Sequence, residues 1–308
     1  MASIIALPTG FLSTIRETFG ENGSMWLERL PDLIGECESR WSLEVRPPFE
    51  NLSYNYVAPA RRSDGREVVL KASVPQSGRT PEVDALRLYD GRGSVRLLES
   101  DPELGVMLLE RLIPGGMLAK LCPEDDDRAT RIAADVMRQL WRPIAEDHTF
   151  QTIEGWFEGL DKLRQEFKGG TGPFPAALVE TGERLYAELS HSMSEPVLIH
   201  GDLHHFNILS ATRQPWLAID PKGVVGEAAY DVSNLLRNPG PDIQQWAGLE
   251  QILDRRVDIL AEALGFERRR VLGWGVAQTV LSAWWSYEDN DRNWRDVLPI
   301  AETMAALL

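Results

Sequence analysis

Between residues 197 and 220 the chain carries two short apolar runs that each close on a carboxylate, Val197-Leu198-Ile199 leading to His200-Gly201-Asp202, and Trp216-Leu217-Ala218-Ile219 leading to Asp220. Runs of this length beside Gly and Pro read as buried strands that hand the following residues to a loop. A buried strand that ends on a charge needs a partner or a task for that charge. Asn207 stands five residues after Asp202, and Asp220 thirteen residues after Asn207. Phosphoryl transfer needs a carboxylate beside the acceptor hydroxyl, to orient it and take its proton, and oxygen ligands for magnesium from neighbouring backbone. Asp202 suits the first task, and Asn207 and Asp220 the second, because magnesium favours hard oxygen donors and binds through one or two carboxylates plus phosphates. Either aspartate alone would read as a turn cap. His, Asp, Asn and a later strand-terminal Asp in this order point to chemistry. His204 and His205 read as residues that shape the loop, not as metal ligands.

Such a site needs a cation for the nucleotide phosphates, and Val68-Val69-Leu70-Lys71-Ala72 places Lys71 inside an otherwise apolar strand. A lysine there is costly unless paired. Glu82, at the start of a helix opened by Pro81, is the expected partner, with Glu67 a weaker one. No G-x-G-x-x-G precedes Lys71; the equivalent place holds Asn51-Leu52-Ser53-Tyr54-Asn55-Tyr56, where Ser53 is the candidate phosphate contact.

Around these residues the pattern is that of an α+β protein. Residues 11–40 have helical periodicity, 41–75 read as an antiparallel meander, and SVRLLES and GVMLLERL add two strands. Pro114-Gly115-Gly116 breaks the pattern. Beyond it, 124–141, 176–191, 242–265 and 267–288 have apolar spacing near 3.6, interrupted by the β-rich stretch 196–220. Two lobes are expected: a nucleotide-binding lobe over 1–113, and a helical lobe over 114–308 with the catalytic loop and acceptor site. A chain of 308 residues with 43 % apolar content can give each a core.

The net charge of −15 argues against nucleic acid and favours approach of a cationic acceptor. Two cysteines, Cys37 and Cys122, make no disulfide framework and lack zinc-site spacing, so they read as reduced core thiols. The apolar stretch at the N-terminus is broken at Pro8 and Gly10, and no run is long enough to span a bilayer. A cytoplasmic protein without membrane contact, a monomer or weak dimer, is expected.

HGDLHHFNIL followed by AIDPKG resembles the aminoglycoside phosphotransferases of the protein-kinase-like fold. NLSYNYVAPA, ALRLYDGRGSVRLL, LLERLIPG and GVVGEAAYDVSNLLRNP are more closely similar to the streptomycin 6-kinases of the aminoglycoside/hydroxyurea antibiotic resistance kinases, over roughly residues 40–290. The resemblance implies a bilobal fold, ATP and magnesium as cofactors, and transfer of the γ-phosphate to a sugar hydroxyl, the 6-hydroxyl of the streptidine ring in streptomycin. It implies that Asp202 is the base, that Asn207 and Asp220 hold magnesium, and that Lys71, steadied by Glu82, contacts phosphates. Glu110-Arg111-Leu112 matches the hinge whose backbone, at Glu110 and Leu112, pairs with adenine. Asp231 matches an architectural aspartate. Glu227, Glu288 and Asp289 are the acids expected to pair with acceptor guanidinium groups, and Trp284, with Trp285 and Tyr287 nearby, is expected to stack on the acceptor. The alternatives are a kinase of the same fold acting on an amino sugar, hydroxyurea, choline or homoserine, and an inactive nucleotide-binding scaffold.

Overall fold

In the computed structural model, which describes residues 7–75, 80–240 and 242–308, the β-prone pieces near the N-terminus form an antiparallel sheet and most of the periodic segments form helices. The chain divides into two units, Met1–Gly91 with Val95–Leu112, and Arg92–Ser94 with Ile113–Leu308.

In the first unit, helix α1 (Thr9–Trp41) turns at Gly20, whose φ of 58° and ψ of −129° are open to glycine alone, and buries Phe11, Ile15, Trp26, Leu30 and Leu33. These side chains share a core with Tyr56, Ala58, Leu70, Ala72 and Val106 of the sheet. The sheet comprises β1 (Leu43–Val45), β2 (Asn55–Arg62), β3 (Glu67–Ser73), β4 (Leu97–Asp101) and β5 (Val106–Glu110), ordered β1-β2-β3-β5-β4 with every pairing antiparallel. β3 is therefore central, and Lys71 lies between Val57 of β2 and Met107 of β5. Helix α2 (Pro81–Tyr89) follows β3 and opens on Pro81, where the missing N–H costs nothing.

In the second unit, β6 (Pro114–Met117) is followed by α3 (Asp126–Leu140), β7 (Gln151–Thr152), α4 (Ile153–Glu166) and α5 (Ala176–His191). Next come β8 (Val197–Ile199), β9 (Ile208–Ala211), β10 (Trp216–Ala218) and β11 (Val224–Gly226), then α6 (Ser233–Leu236), α7 (Leu249–Leu264), α8 (Arg268–Glu288) and α9 (Leu298–Ala306). Helix α8 is buried on nearly every side from Val271 to Trp284, as befits the central helix of a core. The strands make two small sheets, β10-β9-β6 and β7-β11-β8, which fix both ends of the catalytic segment.

Four elements depart from expectation. Pro114-Gly115-Gly116 is not a plain break but part of β6, recruited by β9, with Gly116 N–H donating to Ser210 Oγ at 2.9 Å. A partner strand far along the chain overrides the local breaker signal. Helix α7 starts only at Leu249, after Gly248 at φ 77°, and residues 242–245 form a separate 3-10 turn. Helices α4 and α9 were not expected. Among the described residues no helix is long and apolar enough to cross a membrane.

Candidate active site

β8 delivers His200, Gly201 and Asp202, a short 3-10 turn carries His205 to Asn207, and β10 delivers Asp220. The two ends are tied by backbone: Ile219 N–H donates to Asn207 O at 2.9 Å, and Lys222 N–H to His200 O at 2.9 Å. His200 is the staple. Its Nδ1 accepts from Asp202 N–H at 3.2 Å, so Nε2 carries the proton and donates to Ile219 O at 2.8 Å. Burial pushes its pKa down to about 4, which keeps the ring neutral in that role. Asn207 Nδ2 donates to Asp202 O at 3.0 Å, which orients the amide and leaves its oxygen to act as an acceptor. Asp220 sits at φ 60°, a conformation that side-chain-bearing residues seldom adopt and that tends to gather at functional sites.

Gly201 must be glycine. Its φ is 79°, and a Cβ there would lie 2.7 Å from Val224 Cγ1 and 2.8 Å from Trp156 Cη2. The loop around it is held from below by Asp231, which is buried and accepts from His200 N–H at 3.1 Å, Gly201 N–H at 2.8 Å and Trp141 Nε1–H at 3.3 Å. Burial nevertheless pushes its pKa up to about 6. Asn234, also buried, donates to Gly201 O at 2.9 Å.

Asp202 has two basic neighbours. Lys222 Nζ lies 3.5 Å from Oδ2, and His204 Nε2 3.8 Å from Oδ1. Burial holds the His204 pKa below its ordinary value, so Lys222 is the cation beside Asp202 at neutral pH. Lys222 had no assigned role in the sequence reading; its position two residues past Asp220 was the signal.

In the first unit, Lys71 is 3 % exposed and its Nζ meets both oxygens of Glu82, at 2.7 and 2.8 Å. Glu67, the weaker candidate, instead pairs with Arg46. Ser53 lies exposed in a bend just before β2. Glu110 ends β5, its N–H bonded to Arg96 O at 2.9 Å, and Leu112 is buried.

The acceptor candidates fare unevenly. Glu227 is corrected outright: it is 3 % exposed, and its oxygens are taken by Arg270 Nε at 2.6 Å, Trp274 Nε1 at 2.7 Å and Ser194 Oγ at 3.3 Å. It is an anchor for α8, with no oxygen to spare for a guanidinium. Trp284 is corrected as well, being buried among Phe167, Phe174 and Tyr287. Its neighbour Trp285 is half-buried and meets Trp156 edge to face at 5.6 Å. Trp156 is half-buried too and touches Gly201, so this ring, with Trp285 packed against it, lies beside the catalytic loop where Trp284 does not. The signal for Trp156 was present: Ile153, Phe157, Leu160 and Leu163 have helical spacing behind Thr152, whose hydroxyl caps α4. Glu288 and Asp289 are exposed. Glu288 lines a recess of about 980 Å³ together with Lys162, Lys168, Arg292 and Arg295, a mixed-charge setting that suits a polycation poorly.

The Asn207–Ile219 backbone bond ties together the segments carrying Asn207 and Asp220, whose amide and carboxylate oxygens are the hard donor types that fit magnesium. The architecture is that of protein-kinase-like phosphotransferases. A choline kinase of Streptococcus pneumoniae has a similar structure, with a TM-score of 0.62 at 14 % identity over 90 % of this chain and 99 % of its own. The chain belongs to the aminoglycoside/hydroxyurea antibiotic resistance kinase family, whose model matches residues 40–290. The streptomycin 6-kinase of Streptomyces glaucescens is 31 % identical over 100 % of this chain and 98 % of its own length. The hydroxyurea phosphotransferase of Kitasatospora aureofaciens is 32 % identical over 94 % and 83 %. The protein is therefore a phosphotransferase with a hydroxyl-bearing acceptor.

Proposed function

We propose that this enzyme moves the γ-phosphoryl group of ATP to a hydroxyl of an aminoglycoside, the 6-hydroxyl of streptomycin, and so inactivates the antibiotic. The observation that supports this reading is the bonded closure of two loops, Asn207 to Ile219 and His200 to Ile219, which ties together the segments that carry Asp202, Asn207 and Asp220. Asp202 takes the proton of the acceptor hydroxyl as its oxygen bonds to the γ-phosphorus and the bond to the β-phosphate oxygen breaks, releasing ADP. Asn207 and Asp220 would hold magnesium, which when bound would neutralise phosphate charge. Lys71, fixed by Glu82, offers its ammonium to phosphate oxygens, Ser53 a hydroxyl, and the Glu110 and Leu112 backbone the adenine contacts. Lys222 keeps a positive charge at Asp202.

For the acceptor, Trp156 offers a ring beside Gly201, Trp285 a second ring packed against it, and Asp289 an exposed carboxylate one turn beyond Trp285. Guanidinium groups stack on indoles and pair with carboxylates, and both suit streptomycin. The similarity to a hydroxyurea phosphotransferase supports a second reading, in which the acceptor is hydroxyurea. Mass spectrometry of streptomycin and, separately, hydroxyurea after incubation with protein, ATP and magnesium tests both. One added phosphate on streptomycin is expected. Phosphate on hydroxyurea alone transfers the assignment, and turnover of neither acceptor leaves a phosphotransferase whose acceptor is another small hydroxyl compound.

A further inference from the structure

Behind the catalytic carboxylates, the same loop carries donors that the phosphotransfer does not use. His205 is fully buried, and among the described residues neither ring nitrogen has a hydrogen-bond partner. A neutral imidazole has one donor and one acceptor nitrogen, and leaving both unpaired in the interior is unfavourable. Cys122 Sγ, a carboxylate oxygen of Asp126 and a ring nitrogen of His205 lie within 4.8 Å of one another. Cys122 Sγ is 3.5 Å from Asp126 Oδ1. Asp126 is itself fixed by the buried Arg256, whose Nε meets Oδ2 at 2.9 Å and whose Nη2 meets Oδ1 at 2.5 Å. Arg256 Nη1 is spent on the carbonyl oxygens of Leu235, Leu236 and Asn238. Each carboxylate oxygen of Asp126 has a further lone pair, and hydrogen-bonded carboxylates are ordinary metal ligands.

We propose that Cys122, Asp126 and His205 form a site for a thiophilic divalent cation, with Zn²⁺ as the reference ion, separate from the magnesium ligands of the reaction. Sulfur, nitrogen and carboxylate donors select zinc over magnesium, and three protein ligands plus water make an open zinc site. Zinc bonds of about 2.0–2.3 Å need the donors to close by about 1 Å. Cys122, partly exposed and ahead of α3, can supply that movement and leaves a side for the water. Binding releases the thiol proton to solvent. Because His205 lies between Asp202 and Asn207, the ion would grip the catalytic loop from behind. Sequence spacing hid the site, since Cys122 and Asp126 are one helical turn apart while His205 is distant in the chain.

The test is a titration of the chelator-treated protein with Co²⁺, followed by displacement with Zn²⁺. One equivalent should give a thiolate-to-cobalt charge-transfer band in the near ultraviolet, retained in Cys37→Ser and lost in Cys122→Ser. Cobalt held by Asn207 and Asp220 has no thiolate and gives no such band. His205→Gln should weaken binding by more than about tenfold, the scale at which even outer-shell partners matter. Zinc should raise the Tm of the native protein and of Cys37→Ser, but not that of Cys122→Ser. A missing band, a band that survives Cys122→Ser, or unchanged affinity in His205→Gln would each overturn the proposal.

Discussion

Asp202 and His200 are two residues apart and do opposite things: one is exposed enough to meet an acceptor, the other is sealed to hold the first in place. Replacing Asp202 by Asn keeps the size and removes the proposed base, so kcat should fall by about 10²–10⁴. Initial-rate kinetics should show the KM for ATP nearly unchanged, and a parallel loss of ATP affinity would move Asp202 into nucleotide binding. His200 makes a different prediction. In the unfolded chain it takes up a proton near 6.5, whereas in the folded protein it refuses one until about 4. Between these values the unfolded state binds more protons, so stability is fully present above 6.5 and is lost as the pH falls toward 4. The shift corresponds to roughly 3 kcal/mol. Asp231, with its pKa raised to about 6, works in the reverse sense, and the comparison of native protein with His200→Asn cancels it. Urea unfolding without nucleotide or metal, at steps from pH 7 to 4.5, should show the native protein losing more stability than the variant. Parallel curves would refute the staple.

At the scale of elements, the strand-and-loop segment that carries the proposed catalytic residues was legible because its signals are local. Three strands, a loop and a 3-10 turn lie within 24 consecutive residues, and the types required by phosphoryl transfer recur at short, fixed spacing. The Lys71–Glu82 pair was legible because a charge inside an apolar strand demands a partner nearby. The proposed acceptor wall was not, because its two rings come from α4 and α8, and because adjacent tryptophans on a helix point about 100° apart. Nothing in the order Trp284-Trp285 says which ring faces the core. Glu227 misled for the same reason: its partners Arg270 and Trp274 come from α8, far down the chain. The two rings now separate by experiment. Trp156→Ala and Trp285→Ala should each lower kcat/KM for streptomycin by about 5- to 30-fold, the worth of a stacked cation of 1–2 kcal/mol, with KM for ATP unchanged. Trp284→Ala should instead lower thermal stability, as a core truncation of about 3–5 kcal/mol does. If Trp284→Ala acts on acceptor KM at unchanged Tm, the assignment of the two rings is reversed.

For the molecule as a whole the governing quantity is charge. With 47 acidic and 32 basic residues, the chain carries a net −15 that every approaching ion feels before it meets any single side chain. A streptomycin cation is drawn toward such a surface, while an ATP anion is repelled by it. Both effects are screened over about 8 Å at physiological ionic strength and over less in more salt. The two substrates should therefore respond to salt in opposite directions. Raising monovalent salt from about 0.05 to 0.3 M should lower kcat/KM for streptomycin several-fold, and should leave that for ATP flat or raise it. The turnover number at saturation should hold steady, because the bound acceptor no longer depends on long-range capture. A general salt inhibition would lower both ratios and kcat together, so the sign of the difference carries the result. Equal slopes for the two substrates would mean that the acidity serves solubility alone, and that acceptor recognition rests on Trp156, Trp285 and their immediate neighbours.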